Sequence, residues 1–289
     1  MEMAEARVAV IGGSGLYNME GLGGLREVEM ETPFGRPSDA IVLGELEGVP
    51  VAFLPRHGRG HHLTPAEVPY RANIYALKTL GVERAISVTA VGSLREEMRP
   101  GDLVVLDQLI DRTRGRASTF FGDDIVAHVG FADPFCPQLR ERLVRAAREA
   151  GARVHEAGTC VVMEGPAFST RAESHLYRSW GAHVIGMTAL PEAKLAREAE
   201  VCYGTLACIT DYDCWREAAE DVTVGMVVET LRENVAVSQE VLRRVIAGLP
   251  EERACPCASA LENAIITSSE CISPETREKL APLLGRYLT

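Results

Sequence analysis

The sequence predicts an α/β fold, a β-sheet with helices packed on its faces. Short apolar runs typical of buried strands alternate along the chain with longer segments of helical periodicity. Helix signals accompany this alternation, since Thr64-Pro65 precedes one helical segment and Gly151 follows another. The hydrophobic fraction of 46%, with 25% charged residues, is ordinary for a globular protein with a sizeable core.

The individual elements follow from these patterns in chain order. Strands are predicted over residues 8–11, 40–46, 49–54, 85–91, 103–106, 183–186 and 201–209. Helices are predicted over residues 65–80, 137–150, 170–180, 191–200 and 222–248, the last of them long and amphipathic, with Pro250 beyond it. No segment resembles a linker. We therefore predict one domain over residues 1–249, and over residues 250–289 a helical extension of that domain with two short helices.

Charge and hydropathy exclude two classes of partner. A net charge of −11 argues against nucleic acid, because counterion release needs a basic surface. No apolar run approaches the roughly 20 residues that span a bilayer, so no membrane partner is expected. The acidic start of the chain, residues 1–5, does not resemble a signal peptide. We therefore expect a cytoplasmic protein.

Two features of the composition bear on the environment of the protein. The basic residues are almost all Arg, with Lys only at Lys78, Lys194 and Lys279, and side-chain amides are scarce. Such a composition is typical of a thermophile, although a GC-rich genome produces the same Arg bias. The 8 Cys would be reduced thiols in a mesophile, whereas hyperthermophile cytosols keep disulfides. Composition leaves both states of the cysteines open.

Glycine follows the first predicted strand, in Gly12-Gly13-Ser14-Gly15. Such a turn directs successive backbone N–H groups at an anion, and Ser14 adds a hydroxyl donor, so the segment is a candidate phosphate loop. A dinucleotide-binding turn is the competing interpretation. It is disfavoured because G-x-G-x-x-G is absent in proper register, while a purely structural turn stays open.

Arg56 and His57 follow a second apolar strand, in a loop that continues to His61 and His62. An Arg fork and a His donor at a strand end fit a phosphate site, because Arg binds oxyanions in a bidentate manner. The alternative is a solvated basic loop. A metal site from the three histidines is disfavoured, since no Cys or carboxylate stands nearby at familiar ligand spacing.

Three further strand ends carry side chains that could contact a ligand. Thr89 and the backbone of Ala90 could donate to the same anion as the glycine turn. Phe168 could stack on a heterocycle or fill the core, and Ser169 could cap the next helix. Met187 could cover the face of a sugar. Each of these segments alone is equally consistent with an ordinary strand end.

Two carboxylates, Asp211 and Asp213, follow the last predicted strand. Residues two apart lie on the same side of an extended chain, so the pair is expected to act together. Paired acids serve acid–base catalysis or metal binding. They are also found as nothing more than a polar exit from a strand.

Taken together and in this order, these segments resemble the 5′-methylthioadenosine phosphorylase branch of the trimeric purine nucleoside phosphorylase family. The resemblance extends over residues 7–245, and further matching stretches are 32–39, 92–97, 101–102, 108–113, 134–137 and 210–215. It implies a phosphorylase-type mixed β-sheet flanked by helices. It also implies assembly as a homotrimer or as a hexamer made of two trimers.

The same resemblance implies a role for each candidate site residue. Phosphate would be held by Ser14, Arg56, His57, Thr89, Ala90 and Thr188. The nucleoside would be bound by Met187 at the ribose, Phe168 and Ser169 at the base, Asp211 and Asp213 at N7 and the 6-amino group, and Val224 and Val227 at the methylthio group. Ser169 and Val224 would set specificity. His128 would reach into the site of a neighbouring subunit.

The implied activity is that of a pentosyltransferase in purine and methionine salvage. Phosphate is its co-substrate, adenine and 5-methylthioribose 1-phosphate are its products, and neither cofactor nor metal is expected. From the chemistry we hypothesise that Asp211 is the general acid, with a pKa raised by burial and by Asp213. One alternative is a broader 6-amino or 6-oxo purine nucleoside phosphorylase, against which Asp211 argues, since the 6-oxo branch prefers Asn there. An alternative of another class is a non-catalytic nucleotide-binding protein.

The cysteines allow three interpretations. Cys255-Pro256-Cys257 could form a disulfide, half of a metal site, or two unrelated thiols. The metal site is the least favoured, because no second C-x-x-C or His pair stands nearby. By the resemblance, Cys136 and Cys202 are a second candidate disulfide pair.

Overall fold

The computed structural model describes residues 4–17, 21–216 and 224–288, without the side chains of residues 14, 17, 224, 226, 227, 229 and 231–233. The strands are β1 Val8–Gly12, β2 Leu22–Val28, β3 Ile41–Leu46, β4 Val49–Pro55, β5 Arg84–Ser93, β6 Leu103–Val105, β7 Gln108–Arg112, β8 Val154–His155, β9 Thr159–Met163, β10 Val184–Gly186 and β11 Cys202–Asp211. The helices are α1 Tyr70–Thr79, α2 Pro137–Glu149, α3 Arg171–Ser179, α4 Ala189–Glu198, α5 Val224–Ala247, α6 Pro274–Lys279 and α7 Ala281–Leu284. The predicted α/β fold with a mixed sheet is confirmed.

Strand β5 is the centre of the sheet. It pairs in parallel with β1 on one side and with β11 on the other, and β1 pairs in parallel with β4. Beyond the end of β1, the last residues of β5 pair antiparallel with β10, which leads to β9 and β7. Strands β4, β1, β5 and β11 therefore direct their carboxyl ends to one edge of the sheet, the edge at which open α/β sheets bind ligands.

Helices cover both faces of this sheet, as expected for strands that are buried throughout. On one face, α2 and α5 pack with β11 and β5 through buried aliphatic side chains such as Leu143 and Leu242. On the other face, α1 and α4 contribute Ile74 and Leu195 to the larger core cluster. All 10 residues of β11 are buried, which fits a strand that is covered on both faces.

The extension packs into the same cores as the rest of the chain. Leu261, Leu280 and Leu284 are buried with the α1 and α4 side chains, and Cys257 is buried with those of α2 and α5. The two short helices predicted there correspond to α6 and α7. Among the described residues, no helix is both long and apolar enough to cross a membrane.

Helix α1 begins later than the sequence predicts. The Thr64–Glu67 segment makes the hydrogen bonds of a helix start, with Glu67 Oε2 accepting from the Thr64 backbone N–H. The chain nevertheless stays in turns until Tyr70. Pro69 explains the difference, because a proline inside a helix lacks an N–H donor and clashes with the preceding turn. It stands immediately before the first helical residue.

Four strands, β2, β7, β8 and β9, are absent from the sequence prediction. Strand β2 is exposed or half-buried along its length, and β7 and β8 are half-buried or exposed as well. None of these three carries a continuous apolar run. They are strands because neighbouring strands supply their hydrogen bonds, which is a property of the sheet and not of the local sequence.

Candidate active site

Three parallel strand ends bring the predicted phosphate residues together. Residues Gly12 of β1 and Pro55 of β4 are paired in register, and the backbone N–H of Arg56 donates to the Gly12 carbonyl at 3.0 Å. On the other side of β1, Ile11 pairs with Ser87 of β5. The glycine-rich turn, the Arg56–His57 segment and the second half of β5 are therefore side by side.

The Arg56 side chain is buried and bound to a carboxylate that the sequence did not indicate. Its Nε and Nη2 atoms donate to the two carboxylate oxygens of Glu192 at 2.9 and 3.0 Å. Burial lowers the pKa of Arg56, but the pairing with Glu192 outweighs it and raises the pKa above its usual value. The guanidinium thus stays charged. Its bidentate edge faces Glu192, and not a ligand as the sequence interpretation supposed.

The remaining donors of Arg56 mark where an anion could approach. Nη2 also donates to Ser87 Oγ at 2.6 Å, and Nη1 donates to the Val88 carbonyl at 3.2 Å. Among the described residues, Val88 is the one acceptor of Nη1, which leaves a second Nη1 hydrogen. Glu192 also accepts from the Tyr203 hydroxyl at 2.7 Å, so the pair is fixed from both sides.

His57 is neutral at physiological pH. Burial, followed by the charge of Arg56, lowers its pKa to about 4. Its Nδ1 lies 2.9 Å from the Leu63 carbonyl, and the ring stacks on His61 with centroids 4.2 Å apart. Because a carbonyl can only accept, Nδ1 carries the proton and Nε2 presents a lone pair. Such a nitrogen binds a protonated phosphate oxygen better than a fully ionised one.

Two threonine hydroxyls face each other across β5 and the segment after β10. Thr89 Oγ1 and Thr188 Oγ1 are 3.3 Å apart. They meet because β10 runs antiparallel to the end of β5, so the chain after Gly186 returns alongside Ala90 and Thr89. Thr188 is also the residue before α4. The backbone of Ser14 begins a short 3₁₀ turn, and its side chain lies outside the described atoms.

The two aspartates are buried and joined, although not in the way the sequence predicts. Strand β11 ends at Asp211, and Asp213 lies in the following turn with a φ of 50°. The pair is held by the backbone, since the Asp213 N–H donates to Asp211 Oδ1 at 2.7 Å. An Asx-type turn therefore replaces the expected same-side placement on an extended strand.

Each aspartate has its own hydroxyl partner. Thr210 Oγ1 donates to Asp211 Oδ2, and Ser169 Oγ lies 2.7 Å from each carboxylate oxygen of Asp213. Burial raises the pKa of Asp211, and the charge of Asp213 raises it further against the hydrogen bonds that lower it. Asp211 therefore holds a proton more readily than an ordinary aspartate does.

Gly92 provides the space for this pair. A bulge at the end of β11 pairs Asp211 with Gly92, one residue out of the preceding register. A Cβ atom on Gly92 would lie 2.9 Å from Asp211 Oδ1 and 3.1 Å from the Ile185 side chain. Only glycine leaves both groups where they are.

The loops predicted to meet the nucleoside are tied together by Arg116. Its buried guanidinium donates to the carbonyls of Met187 and Glu164, and it pairs with the Glu164 carboxylate at 3.1 Å. Phe168 is 44% exposed at the outer side of this region, so it is free to stack on a ligand and does not fill the core. Met187 approaches Gly165, where an added Cβ would lie 2.5 Å from its sulfur.

The remaining predicted site residues either lie away from this sheet edge or have side chains outside the described atoms. His128 is exposed on a loop whose backbone N–H donates to the Ala264 carbonyl of the extension. The side chains of Val224 and Val227, at the start of α5, lie outside the described atoms. The four candidate disulfide cysteines are free thiols in one buried cluster, and not two bonded pairs.

Sequence reasoning missed Glu192, Tyr203, Gly92 and Arg116. Glu192 stands among apolar residues at the start of α4, and this is the one local sequence signal for it. The structure shows that Glu192 is buried, which is rare for an acid without a cation beside it. Nothing local identifies Arg116, since its hydrogen-bond partners are all 46 or more residues away in sequence.

Comparison with known proteins gives consistent matches over nearly the whole chain. The family model of the phosphorylase superfamily matches residues 7–247. The S-methyl-5′-thioadenosine phosphorylase of Geobacter sulfurreducens is 58% identical over 98% of this chain and 100% of its own length. That of Thermosynechococcus vestitus is 56% identical over 98% and 99%.

Solved structures that are similar to this chain are also methylthioadenosine phosphorylases. A methylthioadenosine phosphorylase from an antarctic soil metagenomic library has a TM-score of 0.93 and 53% identity, covering 98% of this chain and 100% of that one. The methylthioadenosine phosphorylase of Schistosoma mansoni in complex with adenine has a TM-score of 0.79 and 41% identity, covering 84% and 91%.

Proposed function

This chain belongs to the phosphorylase superfamily, and we propose that it cleaves 5′-deoxy-5′-methylthioadenosine with inorganic phosphate, releasing adenine and 5-methylthioribose 1-phosphate. One observation carries the proposal beyond the names of its relatives. Arg56, His57 and the Thr89–Thr188 hydroxyls lie at the same sheet edge as the buried pair Asp211 and Asp213. An anion site beside a purine-reading carboxylate pair is what phosphorolysis requires.

Phosphate is bound mainly by donors that are already fixed. The free Nη1 hydrogen of Arg56, the hydroxyls of Ser14, Thr89 and Thr188 and the Ala90 backbone N–H hold it beneath C1′ of the sugar. Glu192 fixes the Arg56 side chain in advance, so little reorganisation is needed when phosphate arrives. Nε2 of neutral His57 accepts a hydrogen bond from the P–OH group of a monohydrogen phosphate ion, which favours that form as nucleophile.

The base leaves with a proton from Asp211. A phosphate oxygen forms the new bond to C1′ as the C1′–N9 bond breaks, and N7 of the departing adenine takes the carboxyl proton. Thr210 suits both forms of the acid, because its hydroxyl lies within reach of Asp211 Oδ2 at 2.7 Å and of the Val91 carbonyl at 3.3 Å. It donates to the carboxylate after transfer, and to Val91 while Asp211 is protonated.

Selection of adenine depends on Asp213. Its carboxylate accepts from the 6-amino group, whereas a 6-oxo purine would present a second acceptor to it. Ser169 Oγ lies 2.7 Å from both carboxylate oxygens of Asp213 and holds that carboxylate in position. A site built around such hydrogen bonds rejects a mismatched partner by orders of magnitude. Val224 and Val227 favour a thioether over a hydroxyl by only about 1–3 kcal/mol, so adenosine is expected to be a secondary substrate.

Assembly into a homotrimer, or into a hexamer of two trimers, is part of the proposal. His128 is exposed on a loop braced by the extension, which leaves it accessible to a second copy of the chain. Its proposed role is to approach the 5′ end of the nucleoside in a neighbouring subunit.

Phosphate-dependent release of adenine is the decisive experiment. Methylthioadenosine, adenosine and inosine are each incubated with the protein, with and without phosphate, and the free base and sugar phosphate are quantified. We expect adenine from methylthioadenosine only with phosphate, less from adenosine and little hypoxanthine from inosine. Inosine cleavage as efficient as that of methylthioadenosine would contradict the assignment, and binding without cleavage would indicate a nucleotide-binding protein.

A further inference from the structure

Four buried thiols meet where the extension joins the core. They belong to Cys136, Cys202, Cys255 and Cys257, and all their sulfur atoms lie within 4.8 Å of one another. Cys136 is the residue before α2, Cys202 is the first residue of β11, and the other two stand in the extension. The backbone N–H of Cys136 donates to the Tyr203 carbonyl, which fixes the first two segments side by side.

The spacing of these sulfurs suits a shared metal ion. The Sγ atoms of Cys202 and Cys255 are 3.2 Å apart. Four sulfurs placed about 2.3 Å from one tetrahedral ion are about 3.8 Å from each other. Two disulfides would instead join the sulfurs into two pairs at about 2.05 Å. All four are free in the structure, so every sulfur has a lone pair to offer.

The surroundings also stabilise negative charge on sulfur. The backbone N–H of Cys136 donates to the Tyr203 carbonyl, so the position of this residue is fixed. Cys136 also stands at the amino end of α2, a helix of 13 residues whose dipole favours an anion there.

We propose that these four cysteines bind one zinc ion as a closed tetrahedral site. Binding converts four thiols and Zn²⁺ into a zinc tetrathiolate, and the four protons go to solvent. Four soft sulfur ligands select zinc, and zinc binds such ligands more tightly than ferrous iron does. No ligand position is left for a substrate, so the site is structural.

The zinc joins three segments that are distant in sequence. Two ligands stand in the extension, and the others fix the beginning of β11 and of α2. Arg84 supports the same junction, because its Nη2 atom donates to the carbonyls of Pro250 and Glu252. From the sequence, a metal site was the least favoured interpretation of Cys255 and Cys257, because no second pair of Cys or His residues stands near them in the chain. The fold supplies the missing pair.

Metal analysis of the full chain tests the proposal. The protein is purified in reductant without chelators and its metals are quantified. We expect about one zinc per chain, released by a thiol-blocking mercurial. Replacement by cobalt should give the absorption bands of tetrahedral cobalt thiolate. Absence of zinc together with two disulfides, or with eight titratable free thiols in denaturant, would overturn the proposal, as would stoichiometric iron.

A matched pair of variants tests the ligands. Cys255→Ser should lose the zinc and lower Tm by roughly 5–10 °C. Cys271→Ser is the control, because Cys271 is exposed in the same extension and lies outside the cluster; it should keep both the zinc and the Tm. Full zinc content in Cys255→Ser would contradict the assignment. If that variant fails to fold, zinc release from the unmodified protein still decides.

Discussion

The two ends of strand β11 gather similar groups and use them differently. At its carboxyl end two carboxylates are buried together, and at its amino end, about 30 Å away along the strand, four thiols are. The carboxylates are held apart by the Asp213 backbone N–H and by separate hydroxyl partners. The sulfur atoms of the four thiols lie mainly against one another. The first arrangement leaves room for a proton and a purine, whereas the second suits a single ion bound at the centre.

Between these ends, the strand contacts a third cluster in which the charges are already balanced, although one Nη1 hydrogen of Arg56 is left for a ligand. Tyr203 donates to Glu192, which is paired with Arg56. The comparison therefore teaches that burial alone does not mark a site. Incomplete pairing does, because a buried group without full partners gains most from a ligand.

Among the substitutions considered, removal of the proton donor at the carboxyl end of β11 is expected to have the largest effect on turnover. Asp211→Asn should lower kcat by about 10²–10⁴-fold with a smaller change in KM, because the amide cannot transfer a proton to N7. In the unmodified enzyme kcat should fall as pH rises through the raised pKa of Asp211, since only the protonated form donates. This decrease of kcat at higher pH should be missing in Asp211→Asn.

Steady-state rates of adenine release over a range of pH measure both effects. Asp213→Asn is the natural counterpart, and it should mainly raise KM and relax discrimination against inosine. Unchanged turnover in Asp211→Asn would refute its role as general acid and would leave the carboxyl end without its proposed chemistry.

The cluster of Arg56, Glu192 and Tyr203 should contribute most to the free energy of unfolding. Glu192→Ala leaves the Arg56 guanidinium buried without a counter-charge, which is expected to cost about 3–5 kcal/mol of unfolding free energy. Urea unfolding followed by circular dichroism measures the loss. Glu240→Ala is the control, since that half-buried surface carboxylate pairs with Arg243 and Arg244 and its loss should cost about 1 kcal/mol or less. Equal losses in the two variants would contradict the distinction.

Gly92 tests whether the position of the aspartates matters as much as their charge. The methyl group of Gly92→Ala would displace Asp211 or Ile185, so kcat/KM should fall about 10–100-fold. Gly130→Ala serves as control, because an added Cβ there meets nothing within 4 Å. Full activity in Gly92→Ala would show that the carboxyl end tolerates movement.

The smallest effect is expected at His57. Its folded pKa of about 4 lies below the unfolded value, so the unfolded chain binds more protons between about pH 6.5 and 4. Stability should therefore be full at neutral pH and decline as pH falls through that window. His57→Gln should lessen the decline, by a few degrees in the difference between Tm at pH 7 and pH 5. An identical decline in both proteins would place its origin elsewhere.

The sequence predicted those features whose residues are neighbours in the chain. The strand-to-loop segments at Gly12, Arg56 and Asp211 are local, and each lies at a strand end as expected. The partner of Arg56 stands 136 residues away, and the thiol cluster combines three distant segments. Neither could be predicted from spacing, because only the register of the sheet and the packing of the extension create them.

Strand prediction failed for the same physical reason. Strand β11 is buried throughout and mostly apolar, whereas β2 faces solvent along much of its length. The sheet, and not side-chain burial, holds such edge strands. Likewise, the start of α1 depended on Pro69, which outweighed a capping signal at Thr64.

The extension lies outside the segment that the family model matches, yet it fills part of the same core. The family model stops at residue 247, yet Leu261, Leu280 and Leu284 fill the core beneath α1, and Ile265 bridges to Ala127 beside His128. Excising the chain after Leu249 would uncover that apolar face and release the loop that carries His128. The packed core of this protein thus includes residues beyond the segment that the family model matches.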